Sequence, residues 1–424
     1  MTVRYAYVGS YTVSKFFLKQ KKKPIILTLE FLNNTSQVSG LDWVGSTDLG
    51  KGISIFEFDD SKGKLKPTGK VIEQYSPTWL EVFPPQYSQT KFISEQKFLV
   101  ATHDYGKEDK LGIGFVTSYV IEPDGNLTKI NTEATEGRGN SCVTFHNSGK
   151  YILVTRYWEG GISVLPFNDL TGEIGQICAG VIHQGSGKHP IRQASPHPHA
   201  IHGDPVNDLV YVCDLGLDAV VQYKLDTSTG SLTLVSSKSM GEESGPRGMI
   251  FHPTKRIAYA NCELNGSLVV CKIDDEKGLE PIQTICAYPS DYSSGGNGSS
   301  KDRKRNTLSF DVSTEGGGLG KGRFWASEAV ITFNGDYIYC ICRVHQSIAV
   351  FKVLEDGKLL EHGRSNLLPH SNARNMTLDI SGKYILVASQ DVDQVECFAI
   401  DGESGLLERT DSQYAPCAAD VAVV

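Results

Sequence analysis

The chain has 424 residues, of which 40% are hydrophobic and 21% are charged, and these proportions are typical of a globular protein. Its formal net charge of −8 argues against a nucleic-acid-binding surface, which would need a concentrated basic face. The sequence contains no run of about 18 apolar residues that could span a membrane. The amino-terminal MTVRYAYVGSYT lacks the apolar core of a signal peptide, so we expect a cytoplasmic protein.

The ten cysteines bear on both disulfides and metal binding. In a protein that is not exported they should stay reduced. None of them forms a CxxC pair, and Cys340 and Cys342 share a strand face without a third or fourth ligand nearby. We therefore expect neither a metal site nor any other cofactor.

Internal repetition is the main structural signal. After a first strand in YAYVGSYT, the chain repeats an apolar strand, a turn rich in Gly, Asn, Asp or Pro, and a β-branched or aromatic strand, which together predict a hairpin. A further strand follows each copy, and the spacing of about 45–60 residues is typical of a propeller. In chain order the copies are SPTWLEVF with KFLVATHD, NSCVTFHNSGKYILVTRYW, PHAIHGDPVNDLVYVCDLG, PRGMIFHPTKRIAYANCEL, SEAVITFNGDYIYCICRV and ARNMTLDISGKYILVASQD.

The two ends of the chain supply one more hairpin. The amino-terminal YAYVGSYT is typical of the second strand of a hairpin, and the carboxy-terminal CAADVAVV is typical of its first. Joining them closes the ring and removes the last exposed sheet edges. The sequence therefore predicts an all-β fold: one seven-bladed β-propeller domain over residues 1–424, with four antiparallel strands in each blade. A two-sheet sandwich is the alternative, but it does not account for the repetition.

Two segments interrupt the period. Residues 14–49 separate YVGSYT from GKGISIFEFD and contain the basic run KQKKKP, which we interpret as part of a solvated loop. A translated intron is the alternative for a segment that fits no blade. Residues 290–322 are rich in Gly and Ser and predict a flexible surface loop.

Aligning the hairpins on their turns gives two polar columns at the open ends of the strands. We expect both columns on one face of the ring, around the central channel. Like-charged arginines repel one another unless an anion is present, so their convergence favours an anion-binding pocket over a merely solvated mouth. The first column holds Thr78, Ser141, His199, Arg247, Ser327 and Arg374, and the second holds Asp104, Tyr157, Leu215, Glu263, Arg343 and Gln390.

These columns and several motifs resemble the lactonase family of seven-bladed propellers. The family includes bacterial-type 6-phosphogluconolactonase and the fungal carboxy-cis,cis-muconate cyclase. The similarity covers nearly all blades, and it is sharpest over residues 183–200. The motifs that carry it are YVGSYT, HQGSGKHPIRQASPHPHA, DLGLDAVVQYKLD, SGPRG, NCEL and CRVHQSIAVF.

The resemblance implies a metal-independent lactone site built from a histidine, a glutamate and two arginines. Carried over by motif, these are His199, Glu263, Arg247 and Arg343, the same four that the columns bring together. We expect substrate contacts from Arg374 and Gln390 of the columns and from Arg192 and His197 of the matched segment. Two roles have alternatives: His197 could be structural, and Glu263 could simply form an ion pair with Arg247.

The chain also departs from the family pattern. Gly248 stands where a histidine usually follows the arginine of the GPR motif. Cys262 and Cys342 replace the asparagines before the glutamate and the second arginine, and His103 and Asp104 stand where an Asn–Glu pair is expected. These differences leave the substrate open.

The expected activity is that of a 6-phosphogluconolactonase-like hydrolase acting on a small anionic lactone. Glu263 or His199 would take a proton from water, while Arg247 and Arg343 would stabilise the oxyanion or bind the anionic group of the substrate. A cycloisomerase that forms a lactone from a carboxylated muconate is the first alternative. A non-catalytic interaction scaffold is the second, although the Gly-His and Trp-Asp signatures of WD repeats are absent.

Overall fold

The computed structural model describes residues 4–12, 50–85, 96–104, 113–290, 292 and 324–424. The segment predicted as the first insertion, residues 14–49, lies outside the described residues, as does nearly all of the second, residues 290–322.

The described residues form seven four-stranded antiparallel sheets, as the sequence predicts. We number these sheets as blades in chain order, starting with the one that contains the first strand. Blade 1 contains β1 (Arg4–Ser10), β2 (Gly52–Asp59), β3 (Lys64–Glu73) and the last strand, β28 (Ala418–Val423). Blade 2 contains β4 (Leu80–Phe83), β5 (Phe98–His103), β6 (Phe115–Ile121) and β7 (Leu127–Ala134), and blade 3 contains β8 (Val143–Phe145), β9 (Tyr151–Arg156), β10 (Gly161–Pro166) and β11 (Ala179–Ile182). Blade 4 contains β12 (Pro198–Gly203), β13 (Leu209–Asp214), β14 (Ala219–Leu225) and β15 (Leu232–Ser239), and blade 5 contains β16 (Pro246–Phe251), β17 (Ile257–Cys262), β18 (Ser267–Asp274) and β19 (Gly278–Cys286). Blade 6 contains β20 (Ala326–Ile331), β21 (Tyr337–Cys342), β22 (Ser347–Val353) and β23 (Leu359–Asn366), and blade 7 contains β24 (Ala373–Leu378), β25 (Tyr384–Ser389), β26 (Gln394–Ile400) and β27 (Leu407–Tyr414).

The innermost strands of neighbouring blades contact one another around a closed ring. In ring order they are β28, β4, β8, β12, β16, β20 and β24. The middle strands, such as YILVTR in β9 and YILVAS in β25, are buried on both faces, which explains their nearly continuous apolar sequences.

Apolar packing between blades holds the ring together. Each pair of neighbouring blades shares one hydrophobic cluster, so the described residues contain seven such clusters. Between blades 5 and 6, for example, Tyr259 and Leu268 pack with Cys340 and Phe351, and all four side chains are fully buried. No blade could bury both of its faces alone, so the fold depends on the complete ring.

The two ends of the chain close the ring, as predicted from the split hairpin. Strand β28 pairs antiparallel with β1, with Ala6 opposite Val423 and Val8 opposite Val421. This pairing joins residues from the two ends of the chain into one blade and gives β1 a partner on both sides.

The remaining global expectations concern cysteines and membrane segments. All ten cysteines lie in the described residues, and none of them forms a disulfide there. Within the described ranges, no helix is long and apolar enough to cross a membrane.

Candidate active site

β-Bulges place the predicted residues of the first column. In blade 4, Pro198 pairs with Asp214 and Ala200 pairs with Cys213, so His199 between them is the extra residue of a bulge. The same shift makes Arg247 the extra residue in blade 5 and Arg374 the extra residue in blade 7. A bulge redirects a side chain and is common beside active sites. In three of the innermost strands, a β-bulge therefore presents a site residue.

Each residue of the second column directly follows the second strand of its hairpin. Glu263 directly follows β17, and its backbone N–H donates to the carbonyl oxygen of Gly245 at 2.8 Å. Arg343 directly follows β21, and its N–H donates to the carbonyl oxygen of Trp325 at 3.1 Å. These bonds confirm that the two columns are neighbours at the open ends of the hairpins.

The Glu263 carboxylate lies at the centre of the site. Its Oε1 atom is 2.8 Å from a terminal guanidinium nitrogen of Arg192. Its Oε2 atom is 3.0 Å from a terminal nitrogen of Arg343 and 3.3 Å from Nε of Arg247. Burial raises the pKa of Glu263, but the three guanidinium groups, with Arg343 first, outweigh burial and hold that pKa well below its usual value. The carboxylate is therefore fully ionised and is a weak base.

Arg247 also has a second set of partners. One of its terminal nitrogens donates to the backbone carbonyl of Ser327 and lies 3.4 Å from Oε2 of Glu328. Burial raises the pKa of Glu328, against the opposing effect of Arg247. Glu328 was not among the predicted site residues, because the column alignment selected Ser327. The bulge in β20 spans both residues, so a strict two-residue alternation could not tell which of them faces Arg247.

His199 lies beside this charge cluster. Its side chain is buried, and its Nδ1 atom has no hydrogen-bond partner among the residues that the structure describes. Burial, assisted by the Arg247 guanidinium, lowers the pKa of His199 well below its ordinary value, against the opposing effect of Glu263. The imidazole is therefore neutral at pH 7, with one ring nitrogen available to accept a proton.

Tyr157, in the second column, forms one wall of the site. Its ring stacks on His197 at a centroid distance of 4.6 Å and meets the edge of His199 at 5.6 Å. Its hydroxyl oxygen accepts a hydrogen bond from Arg192 at 3.3 Å. The Nδ1 atom of His197 is 3.0 Å from the carbonyl oxygen of Tyr157, and its backbone N–H donates to Asp214. These contacts fit a wall-forming role for His197 better than a direct chemical one.

Arg374 lies on another side of the mouth. Its guanidinium donates to the Tyr11 hydroxyl at 3.0 Å and sits over the Tyr11 ring at 5.7 Å. Burial raises the pKa of the nearby Asp391 to about 6, against the opposing effects of a hydrogen bond from Asn372 and of the Arg374 and Arg343 charges. Gln390, a predicted substrate contact, begins the one-turn 3₁₀ helix Gln390–Val392. Its side chain takes part in none of the contacts described above among the residues around Glu263.

The central channel continues below the site. A cavity of about 520 Å³ is lined by the innermost strands and includes the carboxyl groups of Glu81, Glu328 and Asp420. Burial raises the pKa of Asp420 to about 7, and burial with repulsion from Asp420 raises the pKa of Glu81 to about 8. Asp420 and Glu81 are thus at least half protonated at pH 7, which limits how far they offset the positive charge of the mouth.

Throughout the described part of the chain, no group of three or more His, Cys, Asp or Glu side chains is arranged to hold a metal ion. Metal-independent activity remains a prediction.

Comparison with known proteins agrees with the fold and the motifs. The profile of the family described as "Lactonase, 7-bladed beta-propeller" matches residues 42–424, so the chain belongs to the lactonase family of seven-bladed β-propellers. It is 25% identical over 371 residues to the 6-phosphogluconolactonase of Bacillus subtilis, covering 87% of this chain and 93% of that protein. It is 30% identical over 298 residues to the 6-phosphogluconolactonase of Klebsiella pneumoniae, covering 69% and 76% respectively.

A solved structure gives the same fold. The periplasmic gluconolactonase of Pseudomonas aeruginosa aligns with a TM-score of 0.77 at 22% identity, over 100% of this chain and 99% of that one. The two curated relatives are named as lactone hydrolases, and this chain, as a member of the lactonase family, is an enzyme of that class.

Proposed function

We propose that this protein hydrolyses a phosphorylated sugar lactone of the 6-phosphogluconolactone type, with His199 as general base. The observation that carries the proposal is the buried Glu263 carboxylate held by three guanidinium groups. The names of the Bacillus and Klebsiella relatives give the same activity.

The charge balance favours an anionic substrate. Three guanidinium groups surround the Glu263 carboxylate, and burial raises the pKa of Glu328, the second acid beside Arg247, so positive charge is in excess around Glu263. Arg374 adds a further cation close enough to lower the pKa of His199. Excess positive charge in a buried mouth raises the local concentration of an anion and stabilises it once it is bound. A phosphate or carboxylate on the lactone would supply the missing charge.

The choice of base rests on the contacts of the two groups, since the pKa of each is lowered. Glu263 is a weak base because its carboxylate is stabilised by Arg343, Arg192 and Arg247. His199 is neutral, and a neutral imidazole keeps one acceptor nitrogen, so it can take a proton from an attacking water. An anionic substrate would offset the arginine charges that depress the pKa of His199, so substrate binding would make the histidine a stronger base.

The arginines would then stabilise charge on the reacting ester. Water attack on the lactone carbonyl gives a tetrahedral oxyanion, and collapse of that intermediate opens the ring to a hydroxy acid. Arg343 and Arg247, already fixed by Glu263, could donate to the oxyanion without reorganisation. Arg192 is the most exposed of the three guanidinium groups and is the best placed to leave Glu263 and hold the phosphate.

The experiment that tests this proposal compares Arg343→Gln with Arg409→Gln on 6-phosphogluconolactone. Arg409, whose side chain is more exposed than that of Arg343, forms an ion pair with buried Glu396 at 2.8 Å outside the mouth, so it controls for the loss of a guanidinium. We expect Arg343→Gln to lower kcat/KM by about 10²–10³-fold, a typical loss for one oxyanion donor, while Arg409→Gln retains activity.

Two results would overturn the proposal. If Arg343→Gln retains the wild-type rate, the mouth is not the active site. If the wild type cyclises a carboxymuconate and leaves 6-phosphogluconolactone at the uncatalysed rate, the enzyme is the lactone-forming cycloisomerase.

A further inference from the structure

We propose that Asp218 is a positioning residue that fixes Arg192 and Arg247 around Glu263. This inference rests on the proposed function, because positioning matters only if the mouth binds the substrate. Asp218 belongs to the DLGLDAVVQYKLD motif and lies in the turn between β13 and β14. It has no role in the reaction proposed above.

The Asp218 carboxylate joins two loops that come from different blade connections. Its Oδ1 atom accepts hydrogen bonds from Nε2 of Gln193 at 2.5 Å, from the backbone N–H of Gly245 at 2.8 Å and from the Ser244 hydroxyl at 3.3 Å. Its Oδ2 atom accepts from the backbone N–H of Glu243 at 2.7 Å. Asp218 is buried, so these charge-assisted bonds are shielded from water.

The first loop carries Arg192. Gln193, its direct neighbour, is completely buried and is held by both ends of its side-chain amide. Nε2 of Gln193 donates to Asp218 and to the carbonyl oxygen of Leu215, while Oε1 accepts from the backbone N–H of His189. Fixing Gln193 in this way fixes the backbone from which Arg192 reaches Glu263.

The second loop carries Arg247. Gly245 donates to Asp218, and its carbonyl oxygen accepts from the N–H of Glu263. Gly245 also adopts a positive φ of 58°, which favours glycine, and Arg247 follows two residues later. One carboxylate therefore sets the approach of two arginines and, through Gly245, the backbone of the glutamate that they share.

The backbone at Asp218 determines which variants are informative. Its φ of 56° is left-handed, a region that Gly and Asn tolerate and Ala does not. Asp218→Gly removes the carboxylate without adding strain. Asp218→Asn keeps an oxygen that can still accept from Gln193 and Gly245 but loses the oxygen that accepts from the Glu243 N–H, so it is a partial rescue variant.

The kinetic test uses 6-phosphogluconolactone and a double-mutant cycle with Arg192→Gln. We expect Asp218→Gly to raise KM at least tenfold and Asp218→Asn to stay within about threefold of wild type. Because Asp218 acts partly through Arg192, the effect of Asp218→Gly should be clearly smaller in the Arg192→Gln background. An undiminished effect there, or a wild-type KM for Asp218→Gly, would overturn the inference.

A second readout does not depend on activity. Amide hydrogen exchange over residues 184–197 and 241–247 should become faster in Asp218→Gly. In Asp218→Asn it should stay slow over residues 184–197 and at Gly245 and become faster at Glu243, whose acceptor oxygen is lost. Asp393→Gly is the matched control, because Asp393 occupies the same left-handed turn position in blade 7 and accepts a hydrogen bond from the Cys417 N–H at 2.7 Å.

These two readouts separate this inference from the proposed function. If the wild type does not hydrolyse any lactone, the proposed function fails while the exchange result still stands. If exchange in the two loops is the same in Asp218→Gly and in wild type, the positioning role fails whatever the activity.

Discussion

Replacing Glu263 with Gln should destabilise the protein, and phosphate bound in place of the carboxylate should restore part of the lost stability. The substitution keeps the size of the side chain but removes the charge that holds Arg192, Arg247 and Arg343 at 2.8–3.3 Å. At an effective dielectric constant of 20, a pair at 4 Å is worth about 4 kcal/mol, so the three attractions together exceed about 10 kcal/mol before opposing terms. Repulsion among the arginines and the desolvation of all four groups offset most of this attraction.

The net loss should resemble that of breaking one buried ion pair, about 3–5 kcal/mol. In a thermal melt followed by circular dichroism, this corresponds to a fall in Tm of roughly 3–6 °C for a chain of 424 residues. Inorganic phosphate at about 100 times its Kd should then return about 2.7 kcal/mol to the variant. Its effect on wild type should be smaller, because Glu263 competes with phosphate for the same guanidinium groups.

Glu396→Gln is the matched control for this experiment. Glu396 is also completely buried, but it pairs with the single Arg409 and accepts from the Ser389 hydroxyl, away from the mouth. We expect this variant to lose stability without gaining a response to phosphate. A Glu263→Gln variant as stable as wild type, or one that phosphate stabilises no more than wild type, would refute the reasoning.

Four further predictions concern the base, the pH dependence of stability, the metal and the role of Asp391. His199→Gln should lower kcat by about 10²–10⁴-fold with little change in KM, and a full kcat would show that another group is the base. Because the pKa of His199 is lower in the folded than in the unfolded protein, the free energy of unfolding should decrease as pH falls below about 6.5. In urea titrations, His199→Gln should make this decrease smaller by up to about 1.4 kcal/mol per pH unit. Activity should survive a chelator, whereas a large loss that calcium restores would place the enzyme with metal-dependent lactonases. Asp391, whose pKa is about 6, should weaken anion binding near Arg374 when it is ionised. The inhibition constant of sulfate should therefore fall from pH 7 to pH 5 in wild type and be low at both pH values in Asp391→Asn. The same pH dependence of this constant in the two proteins would contradict the prediction.

Sequence repetition predicts the fold because each blade is a local unit of consecutive strands. The hairpin turns and buried middle strands can be recognised within one repeat, and the count of six plus a split hairpin requires the β1–β28 pairing. The turn alignment also brings Arg247, Glu263 and Arg343 together, because equivalent positions of successive blades meet at the same end of the ring.

Features that depend on contacts between loops, or on local irregularity, could not be predicted in this way. Glu328 faces Arg247 because β20 contains a bulge, which a strict two-residue alternation cannot locate. The Asp218 interaction exists only once two loops from different blade connections meet. The preference for His199 over Glu263 as base depends on three arginines sharing one buried carboxylate, and the sequence alone left that choice open.

The most direct test of the central claim is kcat/KM of the wild-type enzyme on 6-phosphogluconolactone relative to unphosphorylated gluconolactone, corrected for spontaneous hydrolysis. If the arginine-rich mouth hydrolyses an anionic lactone, the phosphorylated substrate should be favoured at least tenfold, and Arg192→Gln should remove most of that preference. Equal rates on the two lactones, or a preference that Arg192→Gln leaves unchanged, would contradict the account.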